Sequence, residues 1–194
     1  ALLLAELIKD KKDKNLIEFL FSTSNSNFPN KDSYIKLLER TLKINQFSLF
    51  QELAQKVFKH DDFSLSIGHL LFQYDLKKEA LDYYEKVDHF SYDDQTFINL
   101  IQYYLDQNDN ISAWNWILVA ISLEKKDFRL FEFALELFIK YPDICSIDVN
   151  LFLNTAFEYF PGSKKLIYLN SLIQDQLSEK TERWNIANKD YVVG

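Results

Sequence analysis

The chain has 194 residues, of which 47% are hydrophobic and 16% aromatic, with only three glycines and three prolines. So few turn-forming residues argue against a β-sandwich or β-barrel and leave little material for phosphate-binding loops. The net charge of −7 disfavours nucleic acid and anionic membrane surfaces as partners, because both attract basic proteins.

The predicted elements are helices, because apolar residues recur at intervals of three and four almost throughout. A short helical pair is predicted at 1–22 and a polar loop at 23–30. A single helical-repeat domain follows at 31–178, and a weakly patterned tail at 179–194. Within the repeat domain the predicted helices are 33–43, 47–59, 63–74, 77–87, 94–106, 111–123, 128–140, 148–160 and 163–177.

Other sequence features indicate the setting of the protein. No apolar run approaches the roughly 20 residues that span a bilayer, and the N-terminus lacks the pattern of a signal peptide. Cys145 is the only cysteine, which excludes an intramolecular disulfide and favours a reducing, cytoplasmic compartment. Because the chain contains no methionine, we expect it to be a processed form or an excised piece of a longer protein.

One hairpin is repeated 33 residues further along the chain. Ile67, Gly68, Leu71, Ala80, Tyr84 and Val87 recur as Leu100, Ile101, Tyr104, Ala113, Ile117 and Ala120. A poorer copy lies 30 residues earlier, at Leu37, Leu38, Thr41, Phe50, Ala54 and Val57, and the first helix recurs at Phe133, Ala134 and Leu137. Gly68 and Ala80 allow the two helices of a hairpin to cross closely, while Tyr84 fills space toward the next hairpin. The expected fold is all-α, a right-handed solenoid of stacked antiparallel hairpins.

This pattern resembles the tetratricopeptide repeat. The best copy, Asp61–Asp94, has Ile67 and Gly68 for the leucine–glycine pair of the family, and the next copy has Phe97 for its tryptophan. Tyr92 stands where a closing proline is expected. The resemblance implies a concave groove, formed by the first helix of each hairpin, that receives a peptide or a partner helix. The implied groove residues are Ile35, Glu39, Leu42, Leu65, His69, Phe72, Gln73, Ile98, Gln102, Leu105 and Asp106.

This groove would be apolar and aromatic with few cations, which favours a hydrophobic segment or helix over a peptide carboxylate. We therefore predict a non-enzymatic, cytoplasmic scaffold that binds a protein or peptide, with no cofactor or metal and no nucleic-acid or membrane partner. The excess of aromatic residues leaves a homodimer open. Two alternatives are a regulatory or substrate-guiding domain of a larger enzyme, such as a glycosyltransferase, and the sensor domain of a peptide-responsive regulator.

A few side chains suggest chemistry, but a structural role is favoured for each. His60, Asp61 and Asp62 have the types of metal ligands, yet adjacent residues on a helix point in different directions. The same holds for His89 beside Asp88. Cys145 has no histidine nearby in sequence, so an inert thiol is expected. Trp114 and Trp116 lie on different sides of one helix, which predicts one core residue and one exposed binding anchor.

Overall fold

A computed structural model describes residues 31–57, 61–145 and 148–189, so the helical pair predicted at 1–22 and the loop at 23–30 lie outside it. The described residues form nine α-helices and no strand, which confirms the all-α prediction. The helices are α1 Lys31–Lys43, α2 Phe47–Val57, α3 Asp61–Gln73, α4 Lys77–Tyr84, α5 Asp94–Asp106, α6 Asn110–Ser122, α7 Phe128–Lys140, α8 Val149–Tyr159 and α9 Lys164–Lys189. Short 3-10 helices occupy His89–Ser91 and Pro142–Ile144.

The helices pack into two compact units, which divide between Thr96 and Phe97. In the first unit, α1 packs against α2 and α3, and α3 packs against α4. In the second, α7 packs against α6, α8 and α9, and α8 packs against α9. Helix α5 begins in the first unit and continues into the second. The division therefore falls inside the range 31–178 that the sequence predicted as one domain.

Four links between described helices have the same turn. Asn45, Asp75, Asn108 and Glu124 adopt positive φ angles of 56°, 60°, 57° and 56°. In the second of these turns, the Asp75 amide donates to the Phe72 carbonyl at 3.1 Å, and the Leu76 amide donates to the Leu71 carbonyl at 3.0 Å. The other three turns have the same pair of bonds, which is the Schellman cap that satisfies the last carbonyls of a helix. The first three turns are spaced by 30 and 33 residues, as are the repeated apolar residues, whereas the turn at Glu124 links α6 to α7 and lies outside this spacing.

The repeated positions form the core. Of the residues paired at the 33-residue offset, all are buried except the half-buried Tyr104. A Cβ atom added to Gly68 would lie 2.8 Å from Cδ1 and 3.0 Å from Cζ of Tyr84, and nearer still to Cε1. The ring of Tyr84 therefore packs against Gly68 in its own hairpin. In the hairpin formed by α1 and α2 the sizes are reversed: Leu38 stands at the position equivalent to Gly68, and Ala54 at the position equivalent to Tyr84. Both are fully buried.

Two buried tyrosine hydroxyls bond to main-chain carbonyls on neighbouring segments of the first unit. Tyr34 on α1 donates to the carbonyl of Leu53 on α2. Burial raises the pKa of Tyr34 well above its usual value, because the phenolate would lose its hydration. Tyr92 donates to the carbonyl of Tyr84 at 2.9 Å. The Tyr92 hydroxyl thus bonds to a carbonyl at the end of α4.

The last helix is longer than predicted. Helix α9 has 26 residues and ends at Lys189, whereas the sequence predicted an end at Leu177 and a tail from 179. The apolar pattern fades after Leu177, but Glu179, Lys180 and the residues that follow include good helix formers. Within the described part of the chain, neither α9 nor any other helix combines the length and apolar character needed to cross a bilayer.

Candidate functional site

A cleft of about 320 Å³ lies between α5 and α7 in the second unit. One wall is formed by the end of α5, its turn and the start of α6, and the other by the second half of α7. The lining residues are Gln102, Leu105, Asp106, Asn108, Asn110, Phe133, Glu136, Leu137, Lys140 and Tyr141. The volume is at the lower end of the range typical of ligand sites.

Local structure fixes several of these side chains. The Schellman cap at Asn108 ends α5 and turns the chain into α6. Gln102 donates a hydrogen bond of 2.7 Å from Nε2 to Oδ1 of Asp106, one turn later on the same helix face. Helix α7 ends at Lys140, before Pro142, and leaves Tyr141 exposed at the edge of the cleft.

The opposite wall is also held in place by an ion pair. Glu136 accepts from Nζ of Lys165 on α9 at 3.3 Å, and Glu132 accepts from the same atom at 3.1 Å. Hydrogen bonds to these two carboxylates raise the pKa of Lys165 above its usual value. Glu136 therefore has a defined position beside Lys140, and the cleft carries charges of both signs.

The cleft offers apolar, amide and charged side chains. Leu105, Phe133 and Leu137 offer apolar contact, while the amides of Gln102, Asn108 and Asn110 can donate and accept hydrogen bonds. The lining residues include no serine, cysteine or histidine. The cleft is more polar than the apolar, aromatic groove that the sequence predicted.

The structure brings three of the predicted groove residues together in this cleft. These are Gln102, Leu105 and Asp106, which belong to the same copy of the repeat. Ile98, the fourth residue predicted from that copy, is buried.

The remaining predicted residues lie in the first unit. Leu42 and Leu65 are buried, Ile35 is half-buried and Gln73 is exposed. Glu39 is held by Lys43 at 2.6 Å and accepts from the Tyr74 hydroxyl at 3.3 Å. The ring centroid of Phe72 lies 5.4 Å from Nζ of Lys77. His69 belongs to a bonded cluster with Asp93 and Thr96.

Sequence reasoning missed the wall formed by α7. Continuing the repeat by another 33 residues from Gln102 leads to Leu135, which is fully buried. The available signal was the spacing of Glu132, Glu136 and Lys140, which recur every four residues and mark the polar face of an amphipathic helix.

His69, Asp93 and Thr96 form a bonded cluster in the first unit. Nε2 of His69 lies 3.0 Å from Oγ1 of Thr96 and 3.2 Å from Oδ1 of Asp93. Asp93 also accepts from the Thr96 amide at 2.8 Å and from its hydroxyl at 2.7 Å. Burial by itself would raise the pKa of Asp93, but the bonds from His69 and Thr96 outweigh it and hold the pKa well below its usual value.

This cluster has the residue types of a catalytic triad but not its geometry. In a triad the histidine uses one ring nitrogen for the nucleophile and the other for the carboxylate, whereas here Nε2 faces both groups. Thr96 is moreover fully buried. Asp93 instead caps the start of α5, and His69 joins α3 to that cap.

The other side chains that the sequence suggested as candidates for chemistry are His60, His89 and Cys145. His60 lies outside the described residues, and the described part of the chain contains no group of three or more histidine, cysteine or acidic residues that could hold a metal ion. Nδ1 of His89 lies 3.5 Å from Oδ1 of Asp88 at the surface. Burial raises the pKa of Cys145 to about 11, which disfavours the reactive thiolate.

The two tryptophans of α6 differ less in exposure than predicted. Trp114 is buried, and its indole Nε1 has no hydrogen-bond partner within the described residues. Trp116 is half-buried, with its ring centroid 6.1 Å from that of Phe97. Trp114 is therefore the core residue, and Trp116 packs on α5 rather than standing free.

No protein-family model matches this chain, and no curated protein matches it.

Proposed function

We propose that this protein is a non-enzymatic scaffold that binds a peptide segment of a partner protein in the cleft between α5 and α7. The observation that carries the proposal is the meeting of Gln102, Leu105 and Asp106 in one cleft. The resemblance to the tetratricopeptide repeat implies that these residues lie on a ligand-binding face. Their cleft combines apolar walls with amide groups that can bond to a peptide backbone.

The proposed architecture is a short tetratricopeptide-like solenoid. Support comes from three of the four Schellman turns, at Asn45, Asp75 and Asn108, whose spacings equal those of the repeated core residues. In such a stack the first helices of successive hairpins, here α5 and α7, form the binding face. Because its lining is mixed, this cleft suits an amphipathic segment better than a purely hydrophobic one.

Selection of random peptides displayed on phage, with the protein immobilised, would test this function. We expect the selected peptides to bind Leu105→Ala about tenfold more weakly or worse, because burial of a leucine side chain contributes about 1.5–3 kcal/mol. Gln107→Ala is the matched control, since Gln107 is exposed in the same turn but does not line the cleft. Peptides that bind Leu105→Ala as tightly as the parent protein would disprove the assignment.

A further inference from the structure

A second cleft lies between α2 and α4, the second helices of the first two hairpins. Its volume is about 470 Å³, within the range of ligand-binding pockets. It is lined by Phe47, Phe50, Gln51, Gln55, Leu71, Glu79, Asp82, Tyr83 and Lys86. None of these residues belongs to the predicted groove, and all lie in the first unit.

The floor of this cleft is apolar and partly aromatic. Phe50 and Leu71 are fully buried and Tyr83 is nearly so. The ring of Phe47 is stacked on that of Phe50, with centroids 5.9 Å apart and planes inclined by 7°. Because Phe47 is only half-buried, it presents a fixed aromatic surface to an occupant of the cleft.

The rim carries hydrogen-bonding groups and an excess of negative charge. Gln51 and Gln55 lie one turn apart on α2, and Glu79 and Asp82 share a face of α4. The one cation in the lining, Lys86, has its ammonium 4.3 Å from the centroid of the Tyr83 ring. The two carboxylates and the aromatic floor therefore favour a cationic group.

A smaller cleft of about 230 Å³ shares Phe47 with the cleft between α2 and α4. Its other lining residues are Leu42, Asn45, Tyr74 and Leu76, which belong to the turns of the two hairpins and their flanks. This cleft is mainly apolar, because Leu42, Leu76 and the rings of Phe47 and Tyr74 form most of its lining. Two clefts that meet at one side chain fit an extended chain, whose side chains can enter them in turn.

We propose that this face binds an extended peptide segment that places an arginine in the larger cleft and an apolar side chain in the smaller one. The planar guanidinium can stack on Phe47 while it pairs with Glu79 or Asp82, a combination that a lysine ammonium cannot reproduce. Gln51 and Gln55 can bond to the backbone of the same segment. This site is independent of the cleft between α5 and α7.

A fluorescence anisotropy titration with short labelled peptides tests the proposal. The probe is a five-residue peptide of alternating leucine and arginine, and its reference is the same peptide with glutamate in place of arginine. We expect the arginine peptide to bind at least about tenfold more tightly. The combined variant Glu79→Gln and Asp82→Asn should lose about tenfold in affinity for it.

A matched control separates this site from general attraction of a cationic peptide to an acidic protein. Glu85→Gln with Glu124→Gln removes two charges from exposed positions that line neither cleft. This control should bind the arginine peptide within about twofold of the parent. Equal losses in the two double variants, or equal binding of the two peptides, would overturn the proposal.

Nuclear magnetic resonance locates the bound peptide and distinguishes the two sites. Addition of the arginine peptide should shift amide signals on α2 and α4. In the anisotropy titration, Phe47→Leu should weaken binding about two- to fivefold, because leucine keeps an apolar side chain but removes the aromatic ring. Shifts confined to α5 and α7 would overturn this proposal and leave the proposed function intact. If the cleft between α5 and α7 selects no peptides, the proposed function fails and the present proposal is unaffected.

Discussion

The contact between Gly68 and Tyr84 predicts that Gly68→Ala destabilises the protein. In a helix interior this change by itself gains about 0.5–1 kcal/mol, because alanine loses less backbone entropy on folding. Here the new Cβ would lie 3.0 Å or less from three atoms of the Tyr84 ring. Overpacking of this kind costs about 1–3 kcal/mol.

The ring of Tyr84 has little room to move away. Tyr84 is fully buried, and the rings of His69 and Tyr92 lie 5.7 Å and 6.5 Å from it, centroid to centroid. We therefore expect the cost to fall in the upper part of that range, which leaves a net loss of about 1–2 kcal/mol in the free energy of unfolding.

Urea unfolding followed by circular dichroism measures this loss as a lower midpoint at unchanged slope. The control is the same change in a Tyr84→Leu background, where no ring opposes the new methyl group. There, Gly68→Ala should be neutral or stabilising by up to about 1 kcal/mol. The packing argument is refuted if Gly68→Ala stabilises the parent protein, as helix propensity alone would predict, or if its effect is the same in both backgrounds.

Three further predictions concern single groups. Asp93→Ala should cost about 1 kcal/mol at pH 7 by removing a helix cap. Because the folded-state pKa of Asp93 is lowered, its contribution to stability is fully present above the unfolded pKa of about 3.9 and is lost as the pH falls further. The urea midpoints of the variant and the parent should therefore converge in acid and not in base. Cys145, with a pKa raised to about 11, should react slowly with a disulfide reagent at pH 8 when native and fast in urea; equal rates would contradict its burial. Tyr34→Phe should lower the free energy of unfolding by about 1 kcal/mol through loss of the bond to Leu53, and an unchanged urea midpoint would show that this bond contributes nothing.

The candidate site was only half predictable. The resemblance to the tetratricopeptide repeat implied Gln102, Leu105 and Asp106, because equivalent positions of a repeat lie on equivalent faces. The same rule fails on α7, where it leads to the buried Leu135 instead of the lining residue Glu136. A repeat pattern reports which residues are alike, whereas a cleft depends on how two helices are rotated against each other.

The sequence by itself determined the helical class and most of the helix ends. Helices form through bonds between residues four apart, so Pro142, the polar links and the spacing of apolar residues suffice to place them. It also determined that Gly68 and Ala80 lie in the core, since both are buried as the repeat predicted.

Only the tertiary structure decided which faces meet. It placed Tyr84 against Gly68 in its own hairpin, buried Trp114 rather than Trp116, and divided the chain between Thr96 and Phe97. The physical reason is that each of these outcomes depends on side-chain shapes from segments far apart in sequence. Such contacts leave no periodic signal in a single chain, whereas the helices that carry them do.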